Sequence, residues 1–178
     1  MYKRQILETA EKILLEDGID QVTIANISNR SGLKRTSTYK FFQTPEAIKS
    51  MLISNYLNMC ALDFEEKTSN INTSEPSVVV MRSVEILFNF YSEHESAQKL
   101  LLSSSVILPF EKEPFHFLSY KIQSFVEMNI SLPDIFNKDG VFRVITQIIL
   151  SIFALNTKES GSLNAVSYTH LTLPTMLP

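Results

Sequence analysis

Apolar residues in the first part of the chain recur at helical spacing. Ile6, Ala10, Ile13 and Leu14, with Leu7 beside them, line one side, and Lys3, Glu8, Glu11, Lys12 and Glu16 take the other. Gly18 follows the last periodic residue and reads as the stop of this helix. Thr23 then caps a short helix over residues 24–31 whose Ile24 and Ile27 face inward, and Gly32 breaks it. The pattern resumes over 33–42 as a third short helix bearing Lys34, Arg35, Thr36, Ser37, Tyr39 and Lys40. Thr44-Pro45-Glu46 supplies an N-cap, a proline at the first helical position and an acid in the first turn. This opens a long fourth helix through Ile48, Leu52, Ile53, Tyr56, Leu57 and Met59 toward Phe64.

A polar linker over 68–74 precedes Pro76, which starts a helix striped by Val80, Val84, Leu87, Phe88 and Tyr91. The pattern predicts a further helix over roughly 96–106, ending near Pro109. Pro114 opens a segment with Phe117, Tyr120, Ile122, Phe125 and Val126, and Pro133-Asp134 resets the chain. The last strongly apolar helix is predicted over about 139–155, where Val144, Ile145, Ile148, Ile149, Ile152 and Phe153 make a stripe wider than one core face requires. No internal repeat is present. From about residue 165 the pattern changes: Val166 to Thr175 has strand-like composition without a partner strand and resembles the translation of a sequencing-adapter read. Residues 165–178 are therefore read as a non-native tail in which His170 carries no meaning.

Composition sharpens this into an all-α fold. In 178 residues, 44% apolar content supports a sizeable interior, while four glycines and seven prolines are too few for an all-β chain with frequent turns. The single cysteine, Cys60, excludes an intramolecular disulfide and Cys-rich zinc sites, and its apolar helical setting predicts an inert buried thiol. The start lacks the pattern of a signal peptide, and the apolar run 141–155 is shorter than the ~20 residues of a membrane span and carries Arg143 and Gln147. The expectation is a cytoplasmic protein with no membrane partner.

Charge is uneven. Residues 1–60 hold eight basic against six acidic side chains, and residues 61–178 hold eight against thirteen. Between residues 28 and 49 five bases (Arg30, Lys34, Arg35, Lys40 and Lys49) face one acid, Glu46. A basic patch on an acidic chain is the electrostatic footprint of a nucleic-acid contact. Two short helices around Gly32, propped by a longer first helix, make a helix-turn-helix. Ile24, Ile27, Leu33 and Phe42 can lock the pair, and Arg35, Thr36, Ser37, Tyr39 and Lys40 present donors outward. The DNA major groove, about 12 Å wide, admits one helix carrying such donors.

Through these residues the chain resembles the TetR-type bacterial transcription regulators. The resemblance runs from Ile6-Leu7-Glu8-Thr9-Ala10 through Gly18 and Thr23-Ile24-Ala25-Asn26-Ile27-Ser28-Asn29-Arg30-Ser31-Gly32-Leu33. It continues through Thr36-Ser37-Thr38-Tyr39-Lys40-Phe41-Phe42 to Pro45-Glu46-Ala47-Ile48, and covers about residues 3–57. It implies a DNA-binding domain over 1–44 and a helical effector-binding and dimerisation domain over 45–164, with 45–67 as the connecting helix. By position it implies that Arg35, Thr36 and Tyr39 meet base edges and that Lys34, Ser37, Lys40 and Lys49 grip phosphates. Thr36 stands where glycine is commonest and Thr38 where an aliphatic residue is usual, so base contacts and packing beneath the helix are expected to differ.

The resemblance further implies a homodimer on a palindromic double-stranded DNA operator, most simply a repressor released by a small-molecule effector. In such proteins the last two helices of each subunit form the interface. The stripe from Val141 to Phe153 supplies one, and the other is expected near residue 160, where the tail begins, so weak dimerisation is expected. Phe88, Tyr91, Phe115, His116, Tyr120, Phe125 and Met128 are the candidate effector-pocket residues, alongside their ordinary reading as core aromatics. Glu93-His94-Glu95 does not make a metal site, because adjacent helix residues point about 100° apart. No nucleophile, base and orienter can be assembled, and no glycine loop cradles phosphate, so no enzyme, metal or cofactor is expected. The rival reading is a helical dimerisation or ligand-binding module that does not regulate DNA.

Overall fold

The computed structural model describes residues 2–104, 112–134 and 136–163. Helix α1 (Tyr2–Asp17) buries Ile6, Ala10, Ile13 and Leu14, the periodic positions of the sequence. Gly18 and a 3-10 turn at Ile19–Gln21 lead to α2 (Ile24–Ser31), where the Thr23 side chain accepts a hydrogen bond from the Asn26 amide (3.1 Å). Such a cap is worth about 1 kcal/mol. Gly32 ends α2 at φ +70°, the left-handed backbone that glycine adopts without strain.

Helix α3 (Arg35–Tyr39) is shorter than the expected 33–42. Lys34 is extended and offers no capping side chain, and β-branched Thr36 and Thr38 are weak helix formers. The amides of Phe41 and Phe42 both bond to the Thr38 carbonyl (3.0 Å), so the chain closes in a turn that drops Phe42 into the core. Helix α4 (Pro45–Thr68) starts at the predicted cap, Thr44, whose hydroxyl accepts from the Ala47 amide (3.2 Å).

Among the described residues four helices follow: α5 (Pro76–Glu93), α6 (Glu95–Ser104), α7 (Lys112–Asn129) and α8 (Lys138–Ser160). The expected end of the sixth helix at Val106 and Pro109 lies outside the described residues, as does the tail 165–178 with His170. Helix α4 runs through the body, packed on α1, α5, α6 and α7, and α8 covers α6 and α7. Edge-to-face ring pairs Phe64–Phe125 (5.9 Å) and Phe88–Phe153 (6.0 Å) tie these layers together.

Helix α8 has 23 residues, more than the predicted 139–155, because Asn137 caps it through the Gly140 amide (3.2 Å) and it continues to Gly161. By length and composition it is long and apolar enough to cross a membrane, with mean hydropathy 1.5, which corrects the estimate made from the run 141–155. One face is nevertheless packed inside the bundle through Phe142, Thr146, Ile149, Leu150, Phe153, Ala154 and Thr157.

Candidate nucleic-acid interface and adjoining cavity

Several bonds set the angle between α2 and α3. Gln5 Nε2 on α1 donates to the Ser31 carbonyl (3.0 Å), and the Ser31 hydroxyl accepts from the Leu33 amide (3.2 Å). Arg30 forms ion pairs with Glu16 and Asp17 and so clamps α2 to the end of α1. Thr38 is 0% exposed, and its hydroxyl lies 3.5 Å from that of buried Ser28. Two hydroxyls thus occupy a contact where an aliphatic pair would serve, one donating to the other. Phe42 is buried beneath, with Lys3 Nζ 5.9 Å from its ring centroid.

With that side of α3 anchored, Lys34, Arg35, Thr36, Tyr39 and Lys40 are exposed, Tyr39 by 51%. Ser37 and Lys49 are half-buried. Among the described residues, Lys34, Arg35, Lys40 and Lys49 form no ion pair. Arg30, the fifth base of the patch, is different: its charge is met by two acids and it acts as a brace. The other four leave a surface of uncompensated positive charge beside Thr36, Ser37 and Tyr39 hydroxyls, which suits phosphate and base-edge acceptors.

A cavity lies in the body, lined by Ile53, Tyr56 and Leu57 of α4, Tyr91 of α5, Ala97, Leu100 and Leu101 of α6, Phe115 of α7, and Gln147, Leu150, Ser151 and Ala154 of α8. It holds about 540 Å3 of space between atoms, its open mouth included. Of the expected pocket residues, Tyr91 and Phe115 line it. Phe88 instead packs edge-on against Phe153, and Phe125 is buried against Phe64. His116, Tyr120 and Met128 are exposed on α7, Tyr120 by 60%. The helical period of α7 turns them outward, which aromatic character alone could not reveal.

Tyr56, expected only as part of the apolar stripe of α4, was not among the candidate site residues. Its ring lines the cavity and meets the His94 ring edge-on (5.9 Å), while its hydroxyl donates to the Glu11 carboxylate of α1. Burial, reinforced by the Glu11 contact, pushes the Tyr56 hydroxyl up to about 12, so it keeps its proton at neutral pH. His94 also stacks on Phe90 (4.3 Å) and its Nδ1 donates to the Phe90 carbonyl (2.7 Å), while Glu95 pairs with Lys99 (3.0 Å). These contacts spread the Glu93-His94-Glu95 side chains apart. Burial pushes the Cys60 thiol well above its ordinary range, so it stays protonated and unreactive.

On the outer face of α8, Val144 (59%), Ile145, Ile148 (52%) and Leu155 are exposed, and beside them a shallow trough runs from Phe115 to Phe136 and Val141. Helix α7 packs beside α8, so two adjacent helices border this surface ahead of residue 161. The second interface helix expected near residue 160 lies outside the described residues.

No family model matches the chain. A curated relative, the HTH-type transcriptional regulator EthR of Mycolicibacterium smegmatis, is 22% identical over 94 residues, which is 53% of this chain and 43% of that protein. The chain thus spans less than half the length of that relative. Among solved structures, a TetR-family transcriptional regulator of Streptomyces coelicolor superposes with a TM-score of 0.71 at 15% identity, covering 97% of this chain and 94% of the other. A TetR-family regulator of Shewanella sp. PV-4 gives 0.67 at 13% identity, covering 96% and 93%. The fatty acid degradation regulator FadR of Bacillus halodurans gives 0.67 at 11%, covering 98% and 95%. The chain has the fold of the TetR-family regulators: an N-terminal helix-turn-helix unit followed by a helical body.

Proposed function

We propose that the protein is a DNA-binding transcriptional regulator, a repressor that works as a homodimer on a palindromic operator and leaves it when a small molecule binds. The observation that carries this reading is the exposed face of α3, where cationic and hydroxyl side chains stand without acidic partners among the described residues, on a firmly buried support. Arg35, Thr36 and Tyr39 read base edges. Lys34, Ser37, Lys40 and Lys49 hold phosphates. One α3 buries too little surface for tight specific binding, and the apolar face of α8 supplies the contact that pairs two such units.

The test compares Arg35→Ala and Lys40→Ala by fluorescence anisotropy on the DNA flanking the protein's own gene and on random duplex. Arg35→Ala is expected to lose ~1–3 kcal/mol on the specific site and little on random DNA. Lys40→Ala should weaken both alike and lower the slope of log K against log salt by about 1. Equal losses for Arg35→Ala on both duplexes, or no preference by the unmodified protein, overturn the reading.

A further inference from the structure

We infer that the buried hydroxyl pair of Thr38 and Ser28 fixes how far α3 is turned about its own axis, and so sets the register in which Arg35 and Tyr39 meet base edges. Thr38 and Ser28 are positioning residues, since both lie beneath the exposed face. The register deepens the proposed function and rests on it. The pinning of α3 stands on the free protein alone.

The platform is fixed first. Ser28 lies one turn after Ile24 and next to Ile27, all three buried, so α2 offers its hydroxyl to α3 from within the core. The ion pairs of Arg30 and the Gln5–Ser31 bond hold that end of α2 on α1. Against this platform α3 has little grip of its own. It has five residues, its start has no side-chain cap, and its buried residue is Thr38. The ties of the segment converge there. The Thr38 hydroxyl meets that of Ser28 (3.5 Å), its amide donates to the Lys34 carbonyl (3.3 Å), and its carbonyl accepts from the Phe41 and Phe42 amides (both 3.0 Å).

The polarity of this pin is what gives it a direction. An aliphatic contact in its place holds a helix down but lets it roll, because burial of apolar surface has no preferred angle. A hydrogen bond weakens steeply as donor and acceptor leave line. Arg35 and Tyr39, four residues apart, share one flank of α3, and Thr36 and Lys40 stand opposite Thr38. A roll of about 20° carries a side-chain tip ~5–6 Å from the axis through about 2 Å. Hydrogen bonds from N–H to oxygen span a range of only about 0.5 Å, so such a roll breaks a base contact. Long lysine side chains follow a phosphate through the same roll, so sequence preference suffers and general affinity does not.

The experiment uses the full chain with the DNA flanking its gene and random duplex, and sets the ratio of the two affinities against the urea midpoint. Thr38→Val should lower both, the ratio by at least about fivefold, the smallest share of one base contact. Adding Ser28→Ala should restore the midpoint, because no hydroxyl is left stranded, and leave the ratio low. Thr38→Ser keeps the hydroxyl and loses a buried methyl group, so its midpoint should fall while its ratio holds. The salt dependence on random duplex should be the same in all. Stability and specificity thus part in opposite directions, which a merely structural role does not allow. Without DNA, amide hydrogen exchange at Ser37, Thr38, Phe41 and Phe42, relative to α2, should quicken about fivefold in the double variant, as for one lost hydrogen bond. Thr38→Ser should leave that relative rate unchanged.

A double variant that regains the ratio along with its stability overturns the register, as does a Thr38→Ser chain that loses the ratio like Thr38→Val. Unchanged exchange in the double variant overturns the pin. An unmodified protein that does not prefer its flanking DNA refutes the regulator reading, and the exchange rates then decide the pin by themselves.

Discussion

At the scale of single residues, the support beneath α3 rests on small polar groups that need one another. Replacing Thr38 by Val keeps the shape but strands the Ser28 hydroxyl in a buried site, and should cost about 1–2 kcal/mol. Adding Ser28→Ala should recover most of that loss, a double-mutant cycle readable by urea denaturation. Additive losses would show that the two hydroxyls do not interact. Gly32→Ala tests the turn differently. A methyl group there would meet nothing within 4 Å, so its cost of about 1 kcal/mol comes from the left-handed backbone alone. Local chemistry of this kind was legible in the sequence: Gly32, Thr23 and Thr44 stand where caps and turns demand them. Thr38 was legible as unusual but not as paired, since Ser28 reaches it only after α2 and α3 have crossed.

At the scale of helices, what the sequence left open follows from competition between local propensity and tertiary contact. The register of α1, α2 and α4 was readable because one clean apolar stripe or one strong cap fixes each. Helix α3 ends early because Phe42 must turn inward, and α8 runs on because Thr157 and Leu163 find buried places at its far end. The pocket lining was not readable: Ile53, Leu100 and Gln147 lie far apart along the chain, and only packing brings them to one space. The exposed stripe of α8 carries its own prediction. Ile148→Glu should raise the dimer dissociation constant more than tenfold in sedimentation equilibrium while leaving helix content unchanged, because the side chain stands 52% exposed in the single chain. An unchanged association constant would assign the stripe no part in pairing.

At the scale of the whole molecule, the protons of two buried groups, Tyr91 and Cys60, and of half-buried Tyr56 make stability depend on alkaline pH. Burial raises Tyr56 to about 12 and holds Tyr91 and Cys60 above their ordinary values of 10.0 and 9.0. The folded protein therefore keeps protons that the unfolded chain releases. Their contribution is complete below about pH 9 and drains away as pH rises, the Tyr56 share being gone once pH passes its folded value. Urea midpoints should fall steadily from pH 9 to 11.5, and less steeply in Tyr56→Phe. An identical slope in that variant would remove Tyr56 from the account. Helix α1 also works at this scale. Its inner side props α2 and α3, Glu11 receives Tyr56, and its last turn offers the Leu15 carbonyl to Lys99 Nζ of α6 (2.8 Å). The first helix is thus joinery common to both halves, and a cut at residue 44 does not pass between them cleanly. Anyone grafting this head onto a foreign body, to rewire which signal governs which gene, would have to transplant the sockets for Glu11 and Leu15 with it.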